Sequence, residues 1–179
     1  MKRIVLLSVL CMLAIALSAQ TEHVKFIEIP INGTITKFHQ KIVAKGAKYE
    51  NGVKLTNSRA YSYKYYGDKA RLIVNYDPST NNVYQVGVLI PCKSVKEVLS
   101  KFKKHNAILN EHYLFYEDIS SDGNYSFLML SSNGKEPIGL VSTSVLDNDL
   151  DYNNPYDFVV DYLDLKNAQS REKRLSNEL

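Results

Sequence analysis

Three features of the 179-residue sequence predict an α+β fold with antiparallel sheet. Two amphipathic helical stretches stand 60 residues apart, each is followed by period-two patterning, and turn-forming residues separate the period-two runs. With 45% apolar and 23% charged residues, the chain has the balance of a globular protein, which excludes a disordered tail or a fibre.

The first stretch, MKRIVLLSVLCMLAIALSAQ, has a cationic start at Lys2 and Arg3, an apolar or small run from Ile4 to Leu17, and small residues Ser18 and Ala19. That is the pattern of a secretory signal peptide cleaved near Ala19. A run of 14 residues is too short to cross a bilayer core of about 30 Å, and no second run of that length follows. Cys11 lies mid-run, whereas a lipid-bearing cysteine would stand just after it. The expected organisation is a leader at 1–19, one two-repeat domain at 20–166 and a charged tail at 167–179.

The repeat is read from FIEIPINGTITKFHQKIVAKGA (26–47) and VGVLIPCKSVKEVLSKFKKHNA (86–107). Ile29-Pro30 matches Ile90-Pro91, and Thr34, Ile35, Phe38, Ile42 and Ala47 then match Ser94, Val95, Val98, Phe102 and Ala107. Thr34 and Ser94 are good N-cap residues, and Ser94 with Glu97 makes a capping box. Gly46 and Asn106 are the residues that best tolerate a left-handed cap, so the helices are predicted to stop there. Between the caps, apolar positions recur at i, i+3 and i+7.

After the first helix, AYSYKYY, ARLIVNY and NVYQVGVLI are separated by Gly67-Asp68 turn chemistry and by DPSTNN. After the second, HYLFYEDI, YSFLMLSS and IGLVSTSV are separated by SDGN and NGKE. A last strand, FVVDYLDL, precedes a charged helical tail expected to be mobile. The repeats span about 26–92 and 84–165, and one continuous sheet with helices on one face is the simplest assembly. This layout resembles the tandem helix-plus-sheet arrangement of β-lactamase-inhibitor-like proteins, and layout alone assigns no function.

A leader ending in SAQ, the opening HVKFIEIPINGTITKFHQKIVAKG and the ending YDFVVDYLDLKN resemble a group of small secreted proteins of Bacteroidetes-type bacteria. The resemblance implies a cell-envelope or extracellular setting and carries over no catalytic residue.

Cleavage takes away two of 22 Lys and Arg and none of 19 Asp and Glu, leaving 20 against 19. Residues 20–92 carry ten basic and five acidic groups, and residues 93–179 carry ten and 14. Such polarity can steer a partner but falls far short of the basic balance of a nucleic-acid binder.

Only Cys92 remains after cleavage, so no intrachain disulfide forms. Its place before a helix N-terminus and beside Lys93 would favour a reactive thiol. Its parity with Val86, Val88 and Ile90 favours instead a buried apolar site. His23, His39, His105 and His112 show no metal-ligand spacing, and no GxSxG, P-loop or dinucleotide fingerprint occurs. Asp147, Asp149 and Asp151 alternate as in a calcium loop, but Tyr152 and Phe158 stand where an EF-hand needs Gly and Glu. A solvated turn is the simpler account.

Two surfaces remain as binding candidates. Tyr61, Tyr63 and Tyr65 share one strand face with Tyr66 beside them; alternation puts the first three inward, while a flat aromatic surface would suit a protein or glycan. Lys93, Lys96, Lys101, Lys103 and Lys104 crowd the second helix, either as a solvated face or as a surface for anionic envelope material such as phosphorylated glycolipid. The sequence therefore points to a secreted or periplasmic, non-catalytic protein-interaction module without cofactor or metal. A glycan or envelope-surface binding protein is the alternative, and a hydrolase comes third.

Overall fold

A computed structural model describes residues 22–53, 55–118, 125–131, 134, 136–148 and 151–177; the leader and Asp149 lie outside them. The elements run β1 (Lys25–Phe26), β2 (Ile29–Pro30), α1 (Ile35–Ala44), β3 (Lys48–Tyr49), β4 (Ser58–Tyr65), β5 (Asp68–Tyr76), β6 (Val83–Cys92), α2 (Val95–His112), β7 (Leu114–Asp118), β8 (Tyr125–Leu130), β9 (Pro137–Asp147), β10 (Tyr156–Asp164) and α3 (Leu165–Asn177). The protein is α+β, as predicted. Strands β1 and β2 form a small hairpin, and the other eight form one antiparallel sheet in the order β3-β4-β5-β6-β10-β9-β8-β7. Strand β6 pairs with β10 at the middle of the sheet, Val88 opposite Val160.

The helix starts follow the sequence. Thr34 Oγ1 accepts from the Lys37 N–H at 3.4 Å and Ser94 Oγ from the Glu97 N–H at 3.3 Å, each satisfying one of the free donors of a first turn. Glu97 completes its half of the box one residue early, accepting from the Lys93 N–H at 3.0 Å. Gly46 takes a left-handed φ of +95° just beyond α1, where such a cap needs glycine.

The predicted stop at Asn106 is overturned, because α2 runs on to His112. Asn106 Oδ1 instead accepts from Thr143 Oγ1 at 3.1 Å, and Leu109 one turn later is fully buried, so packing extends the helix past a weak breaker. The two first-turn positions also differ: Ile35 is buried, whereas its sequence counterpart Val95 is 56% exposed.

The charged C-terminal segment is not a loose tail but helix α3. Asp164 caps it, accepting from the Asn167 N–H at 2.9 Å, and the same buried carboxylate accepts from the Val24 N–H at 3.1 Å and meets His23 Nδ1 at 2.9 Å. Asn167 Nδ2 donates to the Ile31 and Val83 carbonyls, both at 2.9 Å, and Arg174 pairs with Asp77. The opening of the described chain and its last helix are thereby tied across one end of the sheet. Val24 fills the space above Gly139, where a Cβ would fall 1.7 Å from Val24 Cγ2, so only glycine fits.

The core lies on one side of the sheet. Tyr61 and Tyr65 of β4, Leu72 and Val74 of β5, Val86, Val88 and Ile90 of β6, and Phe158, Val160 and Tyr162 of β10 all point there and are buried. Phe38 and Ile42 of α1 and Val98 and Leu109 of α2 close over them. Each such side chain contributes about 1.5–3 kcal/mol on leaving water, which is how a chain without a disulfide holds together.

Candidate functional site

Residues alternating with that core point to the other side of the sheet, which neither α1 nor α2 covers. One row crosses six strands: Ala60, Ile73, Gly87, Asp161, Ser142 and Ser126 stand opposite one another from β4 to β8. Leu89, Asn75, Gln85, Leu163 and Leu140 flank it, each half-buried by its neighbours.

A polar ladder ends at the centre of this face. Ser58 Oγ donates to Asn75 Oδ1 at 2.5 Å, Asn75 Nδ2 to Gln85 Oε1 at 2.9 Å, and Gln85 Nε2 to Asp161 Oδ1 at 3.2 Å. The carboxylate leans over Gly87, where an added Cβ would stand 3.0 Å from Asp161 Oδ1. Burial pushes the Asp161 carboxyl above its usual range, and the Gln85 hydrogen bond only partly offsets that. Asp157, four residues earlier on the same face, is likewise raised by burial, against a bond from Asn148 Nδ2 at 3.2 Å. No Lys, Arg or His forms an ion pair with Asp161 among the described residues.

The tyrosine surface does not form as a flat aromatic face. Tyr61 and Tyr65 are fully buried, Tyr61 beside His39 Nδ1 at 3.1 Å and Tyr65 sharing a 2.7 Å hydrogen bond with Tyr162 Oη. Burial raises both phenols, and that of Tyr113 to about 12. Tyr63 is half-buried with Phe26 at 6.4 Å, which leaves Tyr66, 42% exposed, as the one open ring of the four. Alternation on a strand beneath two helices decides the matter: the apolar body of each ring is worth more inside than out.

The lysines divide by role. Lys101 Nζ reaches Asp68 Oδ1 at 2.6 Å, and Lys104 Nζ reaches Asp68 Oδ2 at 2.7 Å and the Tyr66 carbonyl at 2.9 Å, so both bolt α2 to the β4–β5 turn. His105 Nε2 lies 2.9 Å from the same carboxylate, its ring stacked between Tyr65 and Phe158. Burial opposes ionisation of Asp68, yet hydrogen bonds from Lys101, Lys104 and His105 outweigh it and hold the carboxyl well below its usual range. Burial lowers the His105 pKa more strongly than the Asp68 hydrogen bond raises it. His105 is fully buried between its two rings, and the Asp68 carboxylate, 13% exposed, is taken up by Lys101, Lys104 and His105, so the pair serves as a clasp. Lys104 therefore leaves the list of free binding cations, whereas Lys93, Lys96 and Lys103 point to solvent outside any ion pair among the described residues.

Cys92 is buried, its thiol donating to the Ile90 carbonyl at 3.4 Å, and burial pushes its pKa up, in keeping with the apolar position its strand parity predicts. Asp151 accepts from the Asn153 and Asn154 N–H groups at 3.0 and 3.3 Å, the pattern of a turn. No group of three His, Cys, Asp or Glu side chains among the described residues is placed to hold a metal ion. No helix among them is long and apolar enough to cross a membrane.

No known protein family, curated protein or solved structure matches the chain. The function has to be argued from the surface itself. Asp161 and Gly87 were not singled out by sequence reasoning, though a signal existed: FVVDYLD sets a charge between two apolar residues in a buried strand, and Gly87 interrupts a run of β-formers.

Proposed function

We propose that this protein is a secreted or periplasmic, non-catalytic protein-interaction module that binds through the uncovered sheet face. The observation that carries this reading is the face itself, where half-buried Ile73, Leu89, Leu140 and Leu163 surround a carboxylate that no cation among the described residues pairs. A leader-like N-terminus supports the location. The tandem arrangement of two helix-plus-four-strand units is part of the proposal, supported by the two N-caps at Thr34 and Ser94 and by buried Phe38 and Val98 at matching places. It would make the open face a single surface drawn from both units.

The test is capture from an envelope extract at physiological salt, comparing the native chain with an Ile73→Lys, Leu89→Lys variant, each checked by thermal melting. The reading predicts one dominant protein retained by the native chain and lost by a variant that still melts normally. Equal retention by both chains contradicts it.

A second reading, an envelope-surface binding protein, is favoured by α2. Val95 and Leu99, the latter 62% exposed, lie one turn apart beside Lys96 and Lys103, a combination of apolar and cationic side chains suited to an anionic lipid or glycolipid surface. It predicts sedimentation with anionic vesicles at low salt that weakens toward physiological salt and is lost in Lys96→Glu, Lys103→Glu. No sedimentation at low salt ends it.

A further inference from the structure

We infer that Asp161 is the anchor of the open face and that the partner of the proposed module lays an arginine side chain on it, the proposal resting on the sheet-face reading above. Four observations converge. First, the carboxylate stands at the middle of the sheet, on the strand that joins the two halves, with Gly87 of β6 and Ser142 of β9 on either side. Second, those neighbours are small, so neither strand lays a bulky side chain across the carboxylate, and Ile73, Leu89 and Leu163 stand around it on the same face. Third, one of its oxygens is held by Gln85, at the end of a ladder reaching back through Asn75 to Ser58, which fixes the carboxylate against rotation before any partner arrives. Fourth, no ion pair among the described residues compensates it, nor Asp157 on the same face, whereas carboxylates elsewhere in the fold are compensated: Asp68 has two lysines, Asp77 has Arg174 and Asp164 has His23 and two N–H donors.

A partly desolvated carboxylate without a counter-charge is unfavourable in the free protein. That disadvantage is removed when a guanidinium covers it, and the apolar walls match the flat, weakly hydrated guanidinium better than a compact ammonium. The sheet face around the depression is apolar enough to take the methylene stem of the same side chain. Arginine is also the charged residue most enriched among the strong contacts of protein interfaces.

The probe is a blocked tripeptide with arginine between two leucines, compared with the same peptide carrying citrulline, which keeps the shape and removes the charge. Both are titrated into the ¹⁵N-labelled chain from residue 20 and into its Asp161→Asn variant. The proposal predicts that amide shifts centre on Gly87, Asp161 and Ser142, and that binding weakens by about tenfold or more for citrulline and for Asp161→Asn. A lysine counterpart is expected to bind more weakly than arginine. Shifts that centre elsewhere, or that persist unchanged with citrulline or in Asp161→Asn, overturn the anchor. If the anchor fails while the Ile73→Lys, Leu89→Lys variant still loses its captured protein, the face binds by apolar contact alone and only this inference falls. Normal melting of Asp161→Asn keeps misfolding out of the comparison.

Discussion

The two faces of the sheet are made by the same strands, residue by residue, and they differ in every property that matters for function. On β10, Phe158, Val160 and Tyr162 face the helices and are sealed; of the residues facing away, Val159 is buried while Asp157, Asp161 and Leu163 are half-buried. On the helix side the Asp68 carboxylate is taken up by Lys101, Lys104 and His105, and Tyr65 by Tyr162, while His105 Nδ1 has no partner. On the open side the polar ladder from Ser58 ends in a carboxylate that pairs with no cation among the described residues. A charge retained on a half-buried face without a counter-charge is an incentive to bind, whereas the clasped charges of the helix side are an incentive to stay folded.

That contrast can be broken or sharpened by substitution. Phe158→Ala on the helix side removes a ring packed on Phe102 and His105 and is expected to cost about 3–5 kcal/mol in denaturant unfolding. Asp68→Ala leaves two lysines and a buried histidine without their shared partner and is expected to cost about 2–4 kcal/mol, somewhat less than for a fully buried ion pair because Lys104 is half open to solvent. Asp161→Asn should do the opposite, raising stability at neutral pH by about 1 kcal/mol, or roughly 3 °C in melting temperature for a domain of this size. Leu89→Ser, a half-buried open-face change, should move stability by about 0.5 kcal/mol or less while affecting capture. If Leu89→Ser destabilised as much as Phe158→Ala, the two faces would not be the different surfaces described.

Acid titration separates the faces by sign. His105 and Asp68 have folded pKa values below their ordinary 6.5 and 3.8, so the unfolded chain binds more protons and the stability they contribute is lost as pH falls below each ordinary value. Asp161 has a folded pKa above its ordinary 3.8, so the folded chain binds more protons and its unfavourable contribution grows as pH rises from 3.8 through the folded value. The stability gap between Asp161→Asn and the native chain should therefore open between mildly acid and neutral pH and close in acid. A gap independent of pH would mean that the carboxylate is not strained by burial.

Much of this architecture was legible in the residues. Thr34 and Ser94 as caps, Gly67 and DPSTNN as turns, and the alternation of AYSYKYY, ARLIVNY and FVVDYLDL placed α1, the start of α2 and seven of the strands, because these signals are local. The β1–β2 hairpin went unseen because its turn is made by Ile27 and Glu28 at φ 44° and 66°, conformations that no glycine or asparagine announces. The length of α2 depended on Leu109 finding the core, and the order of α3 on Asp164, Val24 and Ile31, contacts spanning about 140 positions that no local pattern encodes. For the same reason the candidate site was missed. Asp161, Gly87, Gln85 and Asn75 come from three strands, and only the register brings them into one ladder.

Adjacent residues on β9 allow the central claim to be tested in one measurement: thiol labelling of Ser142→Cys on the open face and of Thr143→Cys on the helix side, in the chain from residue 20, alone and with envelope extract. Cys92 is buried and contributes little background. The account predicts rapid labelling of Ser142→Cys, slow labelling of the buried Thr143→Cys position, and protection of Ser142→Cys when extract is added, while Leu99→Cys on α2 stays reactive. Labelling of Ser142→Cys that is equally fast with and without extract would contradict the assignment of the open sheet face as the binding surface.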